Sequence, residues 1–135
     1  MPSSAPRPLD GMLVVSLEQA VAAPFATRQL ADLGARVVKV ERPGSGDFAR
    51  GYDQAVHGLS SYFVWLNRGK ESLTLDVKSE AGHDVLARLL ERADAFVHNL
   101  GPGAVARLGF GQDVLSGLNP RLISCAVTGY GSTGS

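Results

Sequence analysis

Short runs of β-branched and apolar residues alternate along this chain with stretches of helical periodicity, and few folds accommodate that rhythm. The strand-like runs are Met12–Leu17 (MLVVSL), Ala35–Glu41 (ARVVKVE), Ser72–Val77 (SLTLDV), Ala95–Leu100 (AFVHNL) and Arg121–Val127 (RLISCAV). Met12–Leu17 reads as a strand buried on both faces of a sheet, whereas Ser72–Val77 alternates at period two. Between the first two, Pro24 suits the first turn of a helix and Gly34 its stop. The aromatic segment SSYFVWLN (Ser60–Asn67) predicts a helical turn or two. Ser79 can cap a helix over Glu80–Arg92, with Val85, Leu86, Leu89 and Leu90 as its apolar stripe. GPGAVARLG and GQDVLSGLN then predict two short helices. Strand, helix, strand in this order predicts an α/β fold: a Rossmann-like parallel sheet with flanking helices and right-handed crossovers. The last strand runs into TGYGSTGS. A parallel sheet that stops there reads as the incomplete N-terminal part of a larger fold.

At 135 residues the chain is expected to form one domain, residues 9–135, behind a disordered leader, residues 1–8 (MPSSAPRP). Lys plus Arg and Asp plus Glu number 13 each, which argues against a general nucleic-acid or anionic-membrane surface. The single Cys125 rules out an internal disulfide or a cysteine metal cluster and suits a reducing, cytoplasmic compartment. No uncharged run approaches the ~18 residues of a membrane helix.

Few motifs carry chemistry on their own. GYGSTG, spanning Gly129, Gly131 and Gly134, has the form of a dinucleotide fingerprint but neither opens a helix nor precedes a suitably spaced acid. The first strand–helix connection, EQAVAAP, lacks those glycines, which argues against a nicotinamide or flavin site. Glu41 ends the second strand where such folds keep a ribose-binding acid; its other role is to pair with a neighbouring base. His57 and His83 are expected on the surface, while His98 ends a strand and can face a pocket. No metal-ligand spacing links them. Cys125 is expected to be buried in its strand, and Asp47 and Asp53 to be solvated in a glycine-rich loop. Arg42, Lys78 and Arg107 each stand at the end of an element. With Asn99 and its GPG neighbour they can line one edge of the sheet and hold a phosphorylated ligand.

Four segments in order resemble the family III CoA-transferases, the formyl-CoA transferase and carnitine CoA-transferase group. They are PLDGMLVVSLEQAVAAPFATRQLADLGARVVKVERPGSGDFARG, NRGKESLTLDVKSEAG, ADAFVHNLGPGAVARLGFG and LNPRLISCAVTGYGSTG. The resemblance implies coenzyme A, as an acyl thioester, for a ligand, and a small carboxylic acid as co-substrate, with no metal. By it, Val21 and Ala22 would approach the CoA by their backbone. Arg42, Leu75 and Lys78 would meet its nucleotide end. Asn99, Leu100 and Gly101 would flank the pantetheine arm, and Arg107 would add charge at the phosphates. The second strand would thus end in Arg42 because the nucleotide lies there, with PGSGD turning the chain away.

Many members have Glu at the position of His98 and Phe at that of Leu100; VHNL with GLSSYFVWLNRGKESL resembles members acting on dicarboxylates such as mesaconate, itaconate or succinate. The family's nucleophilic aspartate would lie beyond Ser135, so no catalytic residue is assigned and this segment alone is expected to be inactive. There the acyl-CoA would give a mixed anhydride and then an aspartyl-CoA thioester. The resemblance also implies an interlocked homodimer. α-Methylacyl-CoA racemases share the fold and are the competing activity, with an acyl-CoA-binding module as the non-enzymatic alternative.

Overall fold

The structure, a computed structural model, describes residues 5–133. Five parallel strands form one sheet in the order β3-β2-β1-β4-β5. They are β1 (Leu13–Leu17), β2 (Arg36–Glu41), β3 (Glu71–Thr74), β4 (Ala95–His98) and β5 (Ile123–Ala126). β1 is central, pairing Val14 with Val37 of β2 on one side and with Ala95 of β4 on the other. The helices are α1 (Ala22–Asp32), α2 (Ser61–Leu66), α3 (Glu80–Leu90), α4 (Ala104–Arg107) and α5 (Gln112–Leu118), with a 3-10 turn at Phe48–Gly51. The Rossmann-like α/β reading therefore holds.

The period of two along the strands sends neighbours to opposite faces. Val15, Leu17, Val40 and Phe96 pack with Leu86 and Leu90 of α3, Val105 of α4, Leu115 of α5 and Phe110 from the loop between α4 and α5. Each large side chain buried there contributes ~1.5–3 kcal/mol. On the other face Val14, Val37, Ala95 and Val97 meet Ala23 and Ala31 of α1, whose small side chains let the helix approach closely. Pro24 falls in the first turn of α1, where its missing N–H leaves no intrahelical bond unmade. Gly34 follows the helix at φ 110°, and a Cβ there would stand 2.5 Å from Asp10 Oδ1. Ser79 caps α3, accepting from the Gly82 amide at 3.1 Å.

Several boundaries differ from expectation. β3 ends at Thr74 and β4 at His98, so Leu75–Val77 and Asn99–Leu100 leave the sheet as loops. β5 is shorter too, and all four of its residues are exposed. Cys125 is consequently exposed, not buried. The reason is non-local: α3, α4 and α5 cover the β1–β4 side, and β5 is the sheet's edge. Within the expected leader, residues 1–4 lie outside the described residues, while Arg7 is ion-paired with Asp10 at 3.0 Å. Gly134 of the glycine motif also lies outside the described residues. Among the described residues no helix is long and apolar enough to cross a membrane.

Candidate functional site

In a sheet of this order, connections on the two sides of β1 diverge at the carboxyl ends of β1 and β4, the usual place for a ligand crevice. A cleft of ≈ 540 Å³ opens at that edge of the sheet. Leu17–Gln19 at the end of β1, Val40–Pro43 at the end of β2, Gly46 and Asp47, Leu75–Lys78 after β3, and Leu100 and Leu108 line it. Arg42, Leu75, Lys78 and Leu100, distant in sequence, are thus brought to one cavity. Its size suits a small organic ligand.

The four are held differently. The Leu75 amide donates to Glu41 O at 2.9 Å, so its loop continues the β2–β3 pairing beyond the strand. Arg42 donates to Gly46 O at 2.8 Å and to Gln19 Oε1 at 3.2 Å, and its guanidinium lies over the Phe48 ring. Lys78 is exposed, and among the described residues its ammonium has no hydrogen-bond or ion-pair partner. Leu100 also borders a second cleft of ≈ 380 Å³, which takes in Gly101 and His98. His98 is half-buried there with Nδ1 unpartnered, and burial holds its pKa below the usual value.

Val21, Ala22, Asn99 and Arg107 line neither cleft. Val21 and Ala22 are exposed at the start of α1. The Asn99 side chain is engaged through both its oxygen and its nitrogen: Oδ1 accepts from Gln19 N at 2.9 Å and Nδ2 donates to Gln19 O at 2.8 Å. It clamps the loop after β1 to the end of β4. Arg107 turns back to donate to Pro102 O at 3.3 Å.

The expectation for Asp47 is overturned. PGSG does not carry the chain away; it doubles back, with Gly44 and Gly46 in the left-handed region at φ 77° and 62°. Asp47 thereby lands beneath β1 and β2, only 1% exposed. Its Oδ2 meets Lys39 Nζ at 2.6 Å, while Oδ1 accepts from the amides of Ala20 at 3.0 Å and Ala49 at 2.9 Å. Lys39 also donates to Asn67 Oδ1 at 2.9 Å. Lys70 Nζ bonds Glu18 Oε1 at 2.6 Å, and Glu18 Oε2 accepts from Thr27 of α1 at 2.6 Å. Two lysines and two carboxylates are thus buried as a charge-balanced set. Burial pulls the Lys70 pKa down to about 8 despite the opposing pull of Glu18.

This cluster was absent from the sequence reading. Its signal was Lys39 between valines in a strand covered on both faces, because a buried lysine demands a counter-charge. Asp53 is also engaged at the start of α2: Ser61 Oγ donates to it at 2.6 Å, and that bond, with the Ala55 and Ser61 amides, holds its pKa below the usual value. His83 is not a free surface residue but stacks on Phe110 with centroids 4.4 Å apart.

Glu41 takes the pairing role. Arg50 binds it through two bonds, Nε–Oε1 at 3.1 Å and Nη2–Oε2 at 2.7 Å, and Ser72 Oγ donates at 2.8 Å. Burial alone would raise its pKa, but the bonds from Arg50, Ser72 and the Asp47 amide outweigh it and bring the value from 4.5 down to about 2. A carboxylate depressed on folding stabilises above its unfolded pKa. That stabilisation is complete above pH 4.5 and lost as pH falls toward 2. Discounted for screening at the cleft, it amounts to ~1–2 kcal/mol. Urea midpoints are expected to fall between pH 5 and pH 2.5 with a component that Glu41→Gln removes. An acid slope identical in the two proteins would show that Glu41 contributes none of it.

The sheet order defines a doubly wound, Rossmann-like domain with a crevice at the carboxyl ends of its strands. More narrowly, the chain belongs to CoA-transferase family III, whose sequence model matches residues 9–135. It is 42% identical over 133 residues to the acetyl-CoA:oxalate CoA-transferase of Acetobacter aceti, covering 98% of this chain and 34% of that protein. It is 40% identical over 129 residues to the human succinyl-CoA:glutarate CoA-transferase, covering 95% of this chain and 30% of that one. The crystal structure of a CAIB/BAIF family protein from Brucella suis superposes with a TM-score of 0.90 at 38% identity, over 97% of this chain and 36% of that one. The chain spans about a third of the length of these relatives. Among the described residues no group of three or more His, Cys, Asp or Glu is placed to hold a metal.

Proposed function

We propose that the protein carrying this chain transfers coenzyme A between an acyl-CoA and a small carboxylic acid, and that residues 9–135 hold the CoA. The observation carrying this is the convergence of Arg42, Leu75, Lys78 and Leu100 on one cleft at the carboxyl ends of the strands. A cation without an internal partner, Lys78, faces a cavity walled largely by Leu17, Val40, Val77 and Leu108. That combination suits a ligand with anionic phosphates on an apolar body. Relatives named for oxalate and glutarate favour a dicarboxylate as acceptor. The transfer proceeds through an aspartyl intermediate on a residue outside this chain, in a cytoplasmic homodimer. Every buried carboxylate here, Glu18, Glu41 and Asp47, is already held by a cation.

Lys78→Ala tests the reading. In the full-length protein it is expected to weaken CoA binding by ~1–3 kcal/mol, the scale of charge-assisted hydrogen bonds. The loss should be equal for acetyl-, succinyl- and free CoA, because the contact is remote from the acyl group. An unchanged dissociation constant in titration calorimetry would leave Lys78 an ordinary surface lysine.

A further inference from the structure

The loop after β1 contains one of two non-glycine residues that, among the described residues, lie in the left-handed region, Ala20 at φ 64°. An alanine stays there only where its surroundings hold it. Here the hold is visible. Ala20 N donates to Asp47 Oδ1, and Asp47 is itself fixed through Oδ2 by the buried Lys39. The residue before, Gln19, lines the cleft and is clamped by Asn99. The residue before that, Glu18, is tied to Lys70 and to Thr27 of α1.

We propose that Asp47 is a positioning residue for the transfer reaction, acting through Ala20. Its carboxylate holds the β1–α1 loop in a strained shape that presents the Gln19 segment to the ligand in the cleft. The inference rests on the function proposed above and names the element that shapes that site. Only a carboxylate satisfies the position. Donors approach from both sides, Lys39 on one and the amides of Ala20 and Ala49 on the other. An asparagine has one acceptor oxygen and must turn its amide N–H₂ toward one set of donors.

In the full-length protein, Asp47→Asn is expected to speed deuterium exchange in the peptide covering residues 17–23, measured without ligand by mass spectrometry. The kcat/KM for CoA transfer should fall on the order of tenfold to a hundredfold, the cost of a misplaced binding element. Both are measured at a temperature where circular dichroism shows each variant folded. Ala20→Val leaves the ion cluster intact but sets a β-branched residue at positive φ, and should reproduce the exchange and rate losses. Ala20→Gly placed in the Asp47→Asn background should restore part of the rate, since glycine adopts this φ without strain. A destabilised but correctly shaped site would not respond to that glycine.

Unchanged exchange in both Asp47→Asn and Ala20→Val overturns the link between Asp47 and the loop. Faster exchange with unchanged turnover overturns its role in positioning. A wild-type protein that neither binds nor transfers CoA would instead overturn the proposed function, and the inference with it, an outcome distinct from both.

Discussion

Lys39→Ala is expected to lower the unfolding free energy by ~3–5 kcal/mol, the cost of leaving a buried charge without its partner. The buried Asp47 would keep only two amide donors, and Asn67 would lose one of its two lysines. Glu18 would still have Lys70 at 2.6 Å, so the penalty falls mainly on Asp47. Against the ~5–15 kcal/mol that holds a typical domain folded, the loss is severe. Urea titrations read by circular dichroism provide the measurement, and a loss below ~1 kcal/mol would contradict a buried pair. A double-mutant cycle with Asp47→Asn and Lys39→Met should then show strong coupling, because the two residues touch.

The second large effect is expected at Gly82, with a sign opposite to the usual one. Alanine in place of a helical glycine ordinarily stabilises by up to ~1 kcal/mol. Here the added Cβ would lie 1.9 Å from the Asp76 carbonyl oxygen and 3.0 Å from Ser79 Oγ. The obstacle is backbone, so either α3 or the Asp76–Lys78 loop must move. Overpacking of this kind costs ~1–3 kcal/mol, occasionally more. Because that loop lines the cleft, Gly82→Ala should also weaken CoA binding in the full-length protein. A melting temperature at or above wild type would show that α3 shifts freely and that the contact is soft.

What could be read in advance followed the range of the forces involved. The caps and stops of the helices are local, and Ser79, Pro24 and Gly34 all stand where their chemistry placed them. The parallel sheet followed from strands alternating with helices. The cleft was legible in part: Arg42, Leu75, Lys78 and Leu100 meet, whereas Asn99 and Arg107 spend their side chains on neighbouring backbone. The exposure of Cys125 depends on what lies over β5, which no pattern within RLISCAV encodes. Asp47 was misjudged because composition describes a loop as polar and says nothing about where it folds. Two left-handed glycines and the Arg42–Gly46 bond turn that loop inward.

The central place of β1 also carries a consequence in time. Of these five strands, the one made first is the one that both halves of the sheet are built around. Its pairing with β2 needs only α1 and a short turn between them, so that unit closes a small loop and can form early. Its pairing with β4 waits until β3 and α3 have been made. During that interval the other edge of β1 lies bare, with Val14 and Val15 ready to pair with any strand that arrives. Assembly of this domain is therefore an ordered sequence in which speed of synthesis past Ala95 sets how long a sticky half-sheet persists.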